Sequence, residues 1–226
     1  MCGRYALYGP SSRLREQFDA EIEHFEFAPR YNAAPMQWLP VLRQRAGGER
    51  VIHQLRWGLL PAWAKDEAIA TRLINARAES VADKPAFRAA WRRRRCIVPA
   101  NGFYEWKAVA GGKQPYYIHA ANDALFALAG LWERWTRPED GERVDTFTIL
   151  TTEAEGPMRA LHQRMPVILP AQACARWLDR AASEADLRAL LTAEPPALAM
   201  HPVSKAVGKV SNEGETLIRP LPPEST

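Results

Sequence analysis

The sequence predicts an α+β fold: one domain built on largely antiparallel sheet, with helices at its periphery. Three observations carry this. Runs of apolar, β-branched and aromatic residues crowd the centre of the chain between 96 and 151. Two glycine pairs, Gly47-Gly48 and Gly111-Gly112, each lie between such runs, where a hairpin would turn. Helical patterns are few and short. The 226 residues suit one large domain, and no repeat or linker divides them.

Taken in order, residues 3–7 read as a short strand. Ser11 and Ser12 stand where they can cap a helix through Leu14 and Phe18. Arg30-Tyr31-Asn32-Ala33-Ala34-Pro35 reads as a loop. Segments 38–43 and 50–57 form a hairpin around the first glycine pair. Residues 61–66 read as loop, 73–77 as strand, and 86–92 as a helix entering the run Arg92-Arg93-Arg94-Arg95. Strands follow at 96–99, 102–107, 115–119, 125–132 and 144–151, then a short one at 167–169. Helices are expected at 171–178 and 183–191, and a last strand at 200–204. The proline-rich tail 220–226 is expected to be disordered, leaving a domain over 1–219.

Composition excludes several classes. With 30 Lys and Arg against 26 Asp and Glu, the net charge of +4 permits an anionic partner without demanding one. No apolar run approaches the ~20 residues of a membrane helix. The N-terminus lacks the apolar core of a signal peptide, so a cytoplasmic location is expected. Cys2, Cys96 and Cys174 are too few, and odd in number, for a disulfide framework. No Cys-x-x-Cys or His-x-x-x-His spacing, no Gly-x-Gly-x-x-Gly and no P-loop occurs, so neither a metal nor a cofactor is expected. Nothing demands a partner subunit, and a monomer is expected.

Four features can carry chemistry. Removal of Met1 would leave Cys2 with an α-amine and a thiol on adjacent carbons, a 1,2-aminothiol able to condense with an aldehyde to a thiazolidine, or to attack an acyl group. Position alone favours an idle terminal cysteine. Asn75 and Arg77 alternate onto one face of a strand, with Leu73 and Glu79, and suit hydrogen bonding and phosphate. The same pattern describes the solvated face of an edge strand. Glu105, in Gly102-Phe103-Tyr104-Glu105-Trp106-Lys107, has aromatic neighbours that could desolvate a general acid/base. Alternation puts it with Lys107 opposite Tyr104 and Trp106, which favours a plain exposed carboxylate. His162 precedes a strand beside Arg164 as a loop proton donor or anion contact, or simply as polar surface. Arg4, Arg56, Arg77 and the four-arginine run could track phosphates, and Tyr31, Trp57 and Trp63 could stack on bases. Helix-end charges and core tryptophans explain most of these equally well.

Together the blocks resemble the SRAP (SOS response-associated peptidase) family: Met1-Cys2-Gly3-Arg4-Tyr5, Arg30-Tyr31-Asn32-Ala33-Ala34-Pro35, Trp57-Gly58-Leu59-Leu60-Pro61, Ile74-Asn75-Ala76-Arg77-Ala78-Glu79, Gly102-Phe103-Tyr104-Glu105-Trp106-Lys107, His162-Gln163-Arg164-Met165-Pro166 and His201-Pro202-Val203-Ser204. Each is weak alone; the ordered set, spanning nearly the whole chain, is specific. The resemblance implies a barrel-like, largely antiparallel sheet with peripheral helices. It also implies a protein that binds single-stranded DNA and cross-links to abasic sites through Cys2 as a thiazolidine. It gives Asn75 the positioning of the N-terminus and sugar, Glu105 general acid/base work, and His162 Schiff-base and lyase chemistry. Arg4 and Arg77 would hold phosphates, and Asn32, Pro35 and Trp63 would line the DNA groove. It further implies autoproteolytic release of Met1 and a cytoplasmic, nucleoid-associated protein. One departure is that the family's paired tryptophans are here Trp63 followed by Ala64, with a longer 65–72 loop. The competing readings are a cysteine peptidase acting on other proteins, and a module that binds single strands without a covalent bond.

Overall fold

A computed structural model describes residues 2–222; Met1 and residues 223–226 lie outside the described residues. The chain runs β1 (Tyr5–Leu7), α1 (Ser11–Phe18), β2 (Glu21–Ile22), β3 (Arg30–Ala33), β4 (Trp38–Gln44), β5 (Arg50–Trp57), β6 (Asn75–Arg77), α2 (Arg88–Arg93), β7 (Arg95–Ala100), β8 (Gly102–Val109) and β9 (Gly112–Ala120). It continues with β10 (Phe126–Thr136), β11 (Arg143–Glu153), β12 (Arg164–Pro166), β13 (Ile168–Leu169), α3 (Cys174–Leu178), α4 (Glu184–Leu191) and β14 (Leu198–Pro202). Short 3₁₀ turns fill several connections, among them Ala68–Arg72 and Lys205–Gly208.

Five strands close a barrel. β5, β4, β7, β10 and β11 are neighbours in that order, and a parallel pairing of β11 with β5 completes the ring through Thr146 opposite Arg56 and Phe147 opposite Trp57. Closure leaves no edge strand in that ring to aggregate. Against it lies a second antiparallel sheet, ordered β14-β9-β8-β1-β3. Both glycine pairs turn hairpins as expected, with Gly48 at φ +93° and Gly111 at φ +82°. The core between the sheets takes Tyr5, Leu7, Trp57, Phe103, Phe126 and Phe147. A second apolar cluster, Ala6, Tyr104, Tyr117, Val203, Val207 and Leu217, lies on the other face of the second sheet, beneath the C-terminal segment.

β11 organises the functional end of the molecule. At Ile149 it is flanked by Gly130 of β10 and Asn75 of β6; at Thr151 by Pro166 of β12 and Arg77 of β6. β6 thus takes over from β5 along one edge of β11. The chain leaves β5 at Gly58, where φ is +123° and a Cβ would come within 2.9 Å of the Ala70 carbonyl oxygen, so only glycine fits. It returns at Ile74, whose carbonyl accepts from Trp57 Nε1 at 2.9 Å.

Several expectations are corrected. Residues 30–33 form β3 rather than a loop, pairing with β1 through Tyr5 opposite Ala33. The helix at 11–18 is preceded by Pro10 and has no side-chain cap, so Ser11 and Ser12 do not cap it. Ser183 does cap α4, in a capping box with Asp186. β2 and β12 carry no strand signal in the sequence. Two members of the four-arginine run, Arg94 and Arg95, are engaged within the fold, while Arg92 and Arg93 are exposed. Arg95 is buried and donates to the carbonyls of Trp91, Arg92, Trp177 and Asp179, satisfying the carbonyl ends of α2 and α3, while Arg94 pairs with Glu133. At the start of the tail, the Leu221 amide donates to the Pro202 carbonyl at 2.9 Å; the rest of it, 223–226, is outside the described residues. No described helix is long and apolar enough to cross a membrane.

Candidate active site and nucleic-acid interface

Cys2 lies just ahead of β1 and is fully buried in the main core with Tyr5 and Trp57. The ladder between β1 and β8 pairs Tyr5 with Phe103 and continues as the Tyr104 amide donating to the Arg4 carbonyl at 3.0 Å. This carries the N-terminus along β8 toward Glu105. The Glu105 side chain is 3% exposed. The alternation along β8 is as the sequence suggests, with Tyr104 on one face and Phe103 on the other. Both faces, however, are covered at this point, so the face carrying Glu105 is core and not solvent. Burial pushes the Cys2 thiol pKa well up, and the nearby Glu105 charge pushes it further. The thiol is therefore protonated at neutral pH.

Asn75 and Arg77 alternate on β6 as read from sequence: Asn75 is half-buried, Ala76 buried and Arg77 exposed. Asn75 Nδ2 donates to the carbonyls of Ile74 at 3.0 Å and Ile149 at 3.4 Å, and its Oδ1 is buried without a hydrogen-bond partner. Trp57 links this strand to the N-terminus. Its ring packs on Tyr5 at 5.3 Å between centroids, and its Nε1 shares the Ile74 carbonyl with Asn75.

His162 precedes β12 and so reaches the same end of β11. Its Nδ1 lies 2.9 Å from the Arg164 amide nitrogen and 3.2 Å from the Arg164 carbonyl oxygen. Arg164 grips Glu79 through both guanidinium ends and also donates to the Thr151 carbonyl. That ion pair holds the Glu79 carboxyl below the usual carboxylate range. Arg77, Arg159 and Arg164 line a cleft of about 510 Å³ with Glu153, Ala154 and Gln163. Arg159 and Arg164 were not singled out from the sequence. Their place on either side of His162 was the available signal.

The other expected interface residues divide. Trp63 sits in a turn closed by the Ala64 amide donating to the Pro61 carbonyl, and is 59% exposed, a free stacking face. Pro35 lies in the turn after β3, which is tied to β5 by the Met36 amide donating to the Trp57 carbonyl at 2.8 Å. Asn32 is fully buried. Its Nδ2 donates to the carbonyls of Val207, Lys209 and Asn212, and its Oδ1 accepts from Arg4 at 2.8 Å. Arg4 also donates to the carbonyls of Val207 and Gly208. Both residues therefore anchor segment 204–213. Three residues read as DNA contacts have other partners: Trp57 is fully buried, Tyr31 stacks on Tyr8 at 4.8 Å, and Arg56 pairs with Glu67. Among the described residues no cluster of His, Cys, Asp and Glu could hold a metal, and all three cysteines are free.

Comparison with known proteins agrees with this architecture. The family model described as SOS response associated peptidase (SRAP) matches residues 1–210. The abasic site processing protein YoaM of Bacillus subtilis is 44% identical over 184 residues, covering 79% of each chain. YoqW of the same organism, also named an abasic site processing protein, is 39% identical across 96% of this chain and 99% of its own. YedK of Escherichia coli, of the same description, is 32% identical over 98% of this chain and 100% of its own. A crystal structure of a protein from Bacteroides thetaiotaomicron superposes with a TM-score of 0.87 at 25% identity, covering 97% of this chain and all of the other. With its family model matched over nearly the full length and its relatives aligned end to end, the chain belongs to the SRAP family.

Proposed function

We propose that this protein captures abasic sites in single-stranded DNA as a covalent thiazolidine on Cys2, after Met1 has been removed. The observation that carries the reading is the enclosure of Cys2 close to the Glu105 carboxylate, in a core that Trp57 links to the strand bearing Asn75 and Arg77. The names of the relatives, abasic site processing proteins, agree with it.

The chemistry follows from the protonation states. A ring-opened abasic deoxyribose presents an aldehyde. With the thiol held protonated, the α-amine of Cys2 is the first nucleophile. It adds to the aldehyde, and loss of water gives the imine. The thiol then adds to the imine carbon, its proton passing through the Glu105 carboxylate to the imine nitrogen, and the five-membered ring closes as a neutral thiazolidine. Asn75, fixed by the Ile74 and Ile149 carbonyls, orients the sugar. His162 serves proton transfer at the opened sugar; from the imine the same group supports strand-cleaving lyase chemistry or reversal. Arg77 holds a phosphate beside the lesion and Trp63 stacks on a flanking base. Arg4 and Asn32 act at one remove, by fixing segment 204–213 beside the groove. Release of Met1 is hydrolysis of the Met1–Cys2 peptide bond, with Cys2 and Glu105 as its machinery. A peptidase acting on other proteins is disfavoured, because a general acyl nucleophile needs an accessible thiolate and this thiol is buried and held protonated.

The test is a denaturing gel. Wild-type protein, with intact mass showing Cys2 as its first residue, is mixed with a single strand carrying one abasic site. An adduct is expected with abasic DNA only and is expected to vanish in Cys2→Ala. Cys2→Ser should give an adduct that borohydride traps but heat dissolves. Equal adduct from Cys2→Ala would overturn the reading.

A further inference from the structure

We propose that the cavity between α1, the entry to β10 and α3 is a binding site for a small apolar carboxylate, an aryl or short alkyl acid about the size of phenylacetate, with its carboxylate held by Arg50. The site shares no lining residue with the arginine-lined cleft, and the inference holds or fails independently of the capture chemistry.

The cavity measures about 200 Å³ and its walls are mostly apolar. Phe18 lines it from α1, Leu125 and Phe126 from the entry to β10, Ile168 and Leu169 from β13, and Cys174 from the start of α3. Hydrogen bonds within the fold set its shape. The Gln17 side chain donates to the Leu125 carbonyl at 2.6 Å and accepts the Leu125 amide at 3.0 Å, tying α1 to the entry of β10. β13 pairs with β10 through Ala127 opposite Leu169. An apolar cavity of roughly 150 Å³ takes a benzene ring. This one, at about 200 Å³, takes the ring with a small substituent.

Arg50 sets the chemistry of that substituent. It opens β5 on the cavity wall, half-buried, and its Nη1 donates to the carbonyl of Phe18, itself a lining residue, at 3.0 Å. That bond anchors the guanidinium beside the apolar walls and leaves most of its five N–H donors uncommitted. Among the described residues no carboxylate pairs with it, whereas Arg43 and Arg45 on the same hairpin pair with Asp145 and Glu23. No Asp or Glu lines the cavity. The Arg50 charge reaches the lining thiol: burial pushes the Cys174 pKa up to about 11, and Arg50 pulls against it. A cation without a counter-charge at the edge of an apolar cavity is complementary to an anion that brings its own apolar body. A bare inorganic anion would leave the walls unfilled, and a neutral hydrocarbon would leave the guanidinium unpaired.

The experiment uses the whole chain with phenylacetate, phenylacetamide and acetate as probes. Binding is read from the melting temperature and from the rate at which a thiol reagent modifies Cys174, located by peptide mass. Cys2 and Cys96 are fully buried, and Cys174 is the cysteine that lines this cavity. Phenylacetate is expected to raise the melting temperature with a Kd on the order of 1 mM or tighter. At ten times that Kd it should slow Cys174 labelling roughly tenfold. Phenylacetamide and acetate should each bind about tenfold or more weakly, one lacking the charge and the other the ring. Arg50→Gln should erase the preference for the acid over the amide, and Arg50→Lys, which keeps the charge, should retain part of it. Equal binding of acid and amide by wild type overturns the proposal without recourse to any variant. So does phenylacetate binding that leaves Cys174 labelling unchanged, or no binding at about 10 mM. A chain that sediments as a dimer with Cys174 already protected would give this face to a second copy and overturn it as well.

Discussion

Replacing Asn32 by aspartate separates an anchoring role from a DNA-contacting one. The Asn32 amide group donates to three backbone carbonyls, those of Val207 at 3.2 Å, Lys209 at 3.0 Å and Asn212 at 2.9 Å. Asn32→Asp keeps the shape and removes both N–H donors, so three carbonyl oxygens face a carboxylate. Loss of two donors from buried acceptors costs about 1–2 kcal/mol each. The buried charge adds to this, and its attraction to Arg4, 2.8 Å from Oδ1, returns part. The net expectation is destabilisation by about 3 kcal/mol, or a melting temperature lower by roughly 6–12 °C for a chain of this size. Urea denaturation reads the magnitude. Hydrogen exchange reads the mechanism, because the loss should concentrate in amides of 204–213, such as Val207 and Lys209, whose N–H groups close the local turns. A variant within about 0.5 kcal/mol of wild type, with unchanged exchange in that segment, would refute the anchoring argument.

Other perturbations test other parts of the site. Glu105→Gln should fold normally and slow cross-linking by about a hundredfold, as loss of a positioned acid/base does; capture at the wild-type rate would show that the thiol proton goes elsewhere. Arg77→Ala should weaken binding to single strands of any sequence and reduce the slope of log affinity against log salt by about 0.7, whereas an unchanged slope would remove Arg77 from the phosphate path. Gly58→Ala should cost about 2 kcal/mol or more, from the Ala70 clash and the positive φ together; a neutral melt would show that the 58–74 loop yields. Glu79→Gln concerns pH. Because Arg164 lowers the Glu79 pKa, the pair stabilises the fold fully above the ordinary carboxylate range and loses that contribution as pH falls through the lowered value. With the Glu79 side chain about half exposed, the deficit of the variant at pH 7 should stay under about 1 kcal/mol and vanish in acid; a deficit independent of pH would assign it to packing.

The parts of this molecule legible in the sequence are those where one residue's neighbours along the chain are also its environment. The hairpins at Gly48 and Gly111 and the alternation of Asn75 with Arg77 are of this kind. Glu105 shows where that logic ends. Its alternation with Tyr104 is as read, yet the inference to an exposed carboxylate fails: Glu105 shares the main-core face with Phe103, and the opposite face, that of Tyr104, is covered by a second apolar cluster under the C-terminal segment. Which faces of a strand are covered is decided by residues a hundred positions away, and periodicity carries no record of them. Arg30 to Ala33 reads as loop for a related reason. Its Asn and the following Pro are turn residues by composition, but β1 offers a partner strand and the C-terminal segment offers three carbonyls to the asparagine. The same long-range closure builds the site. Trp57, one residue before the chain leaves the barrel, presents its indole to Tyr5 on one side and to the carbonyl beside Asn75 on the other. Beyond the point where β5 leaves it, β11 is flanked by β6, which sets Asn75 opposite Ile149 and Arg77 opposite Thr151, and Arg77 lines the basic cleft with Arg159 and Arg164.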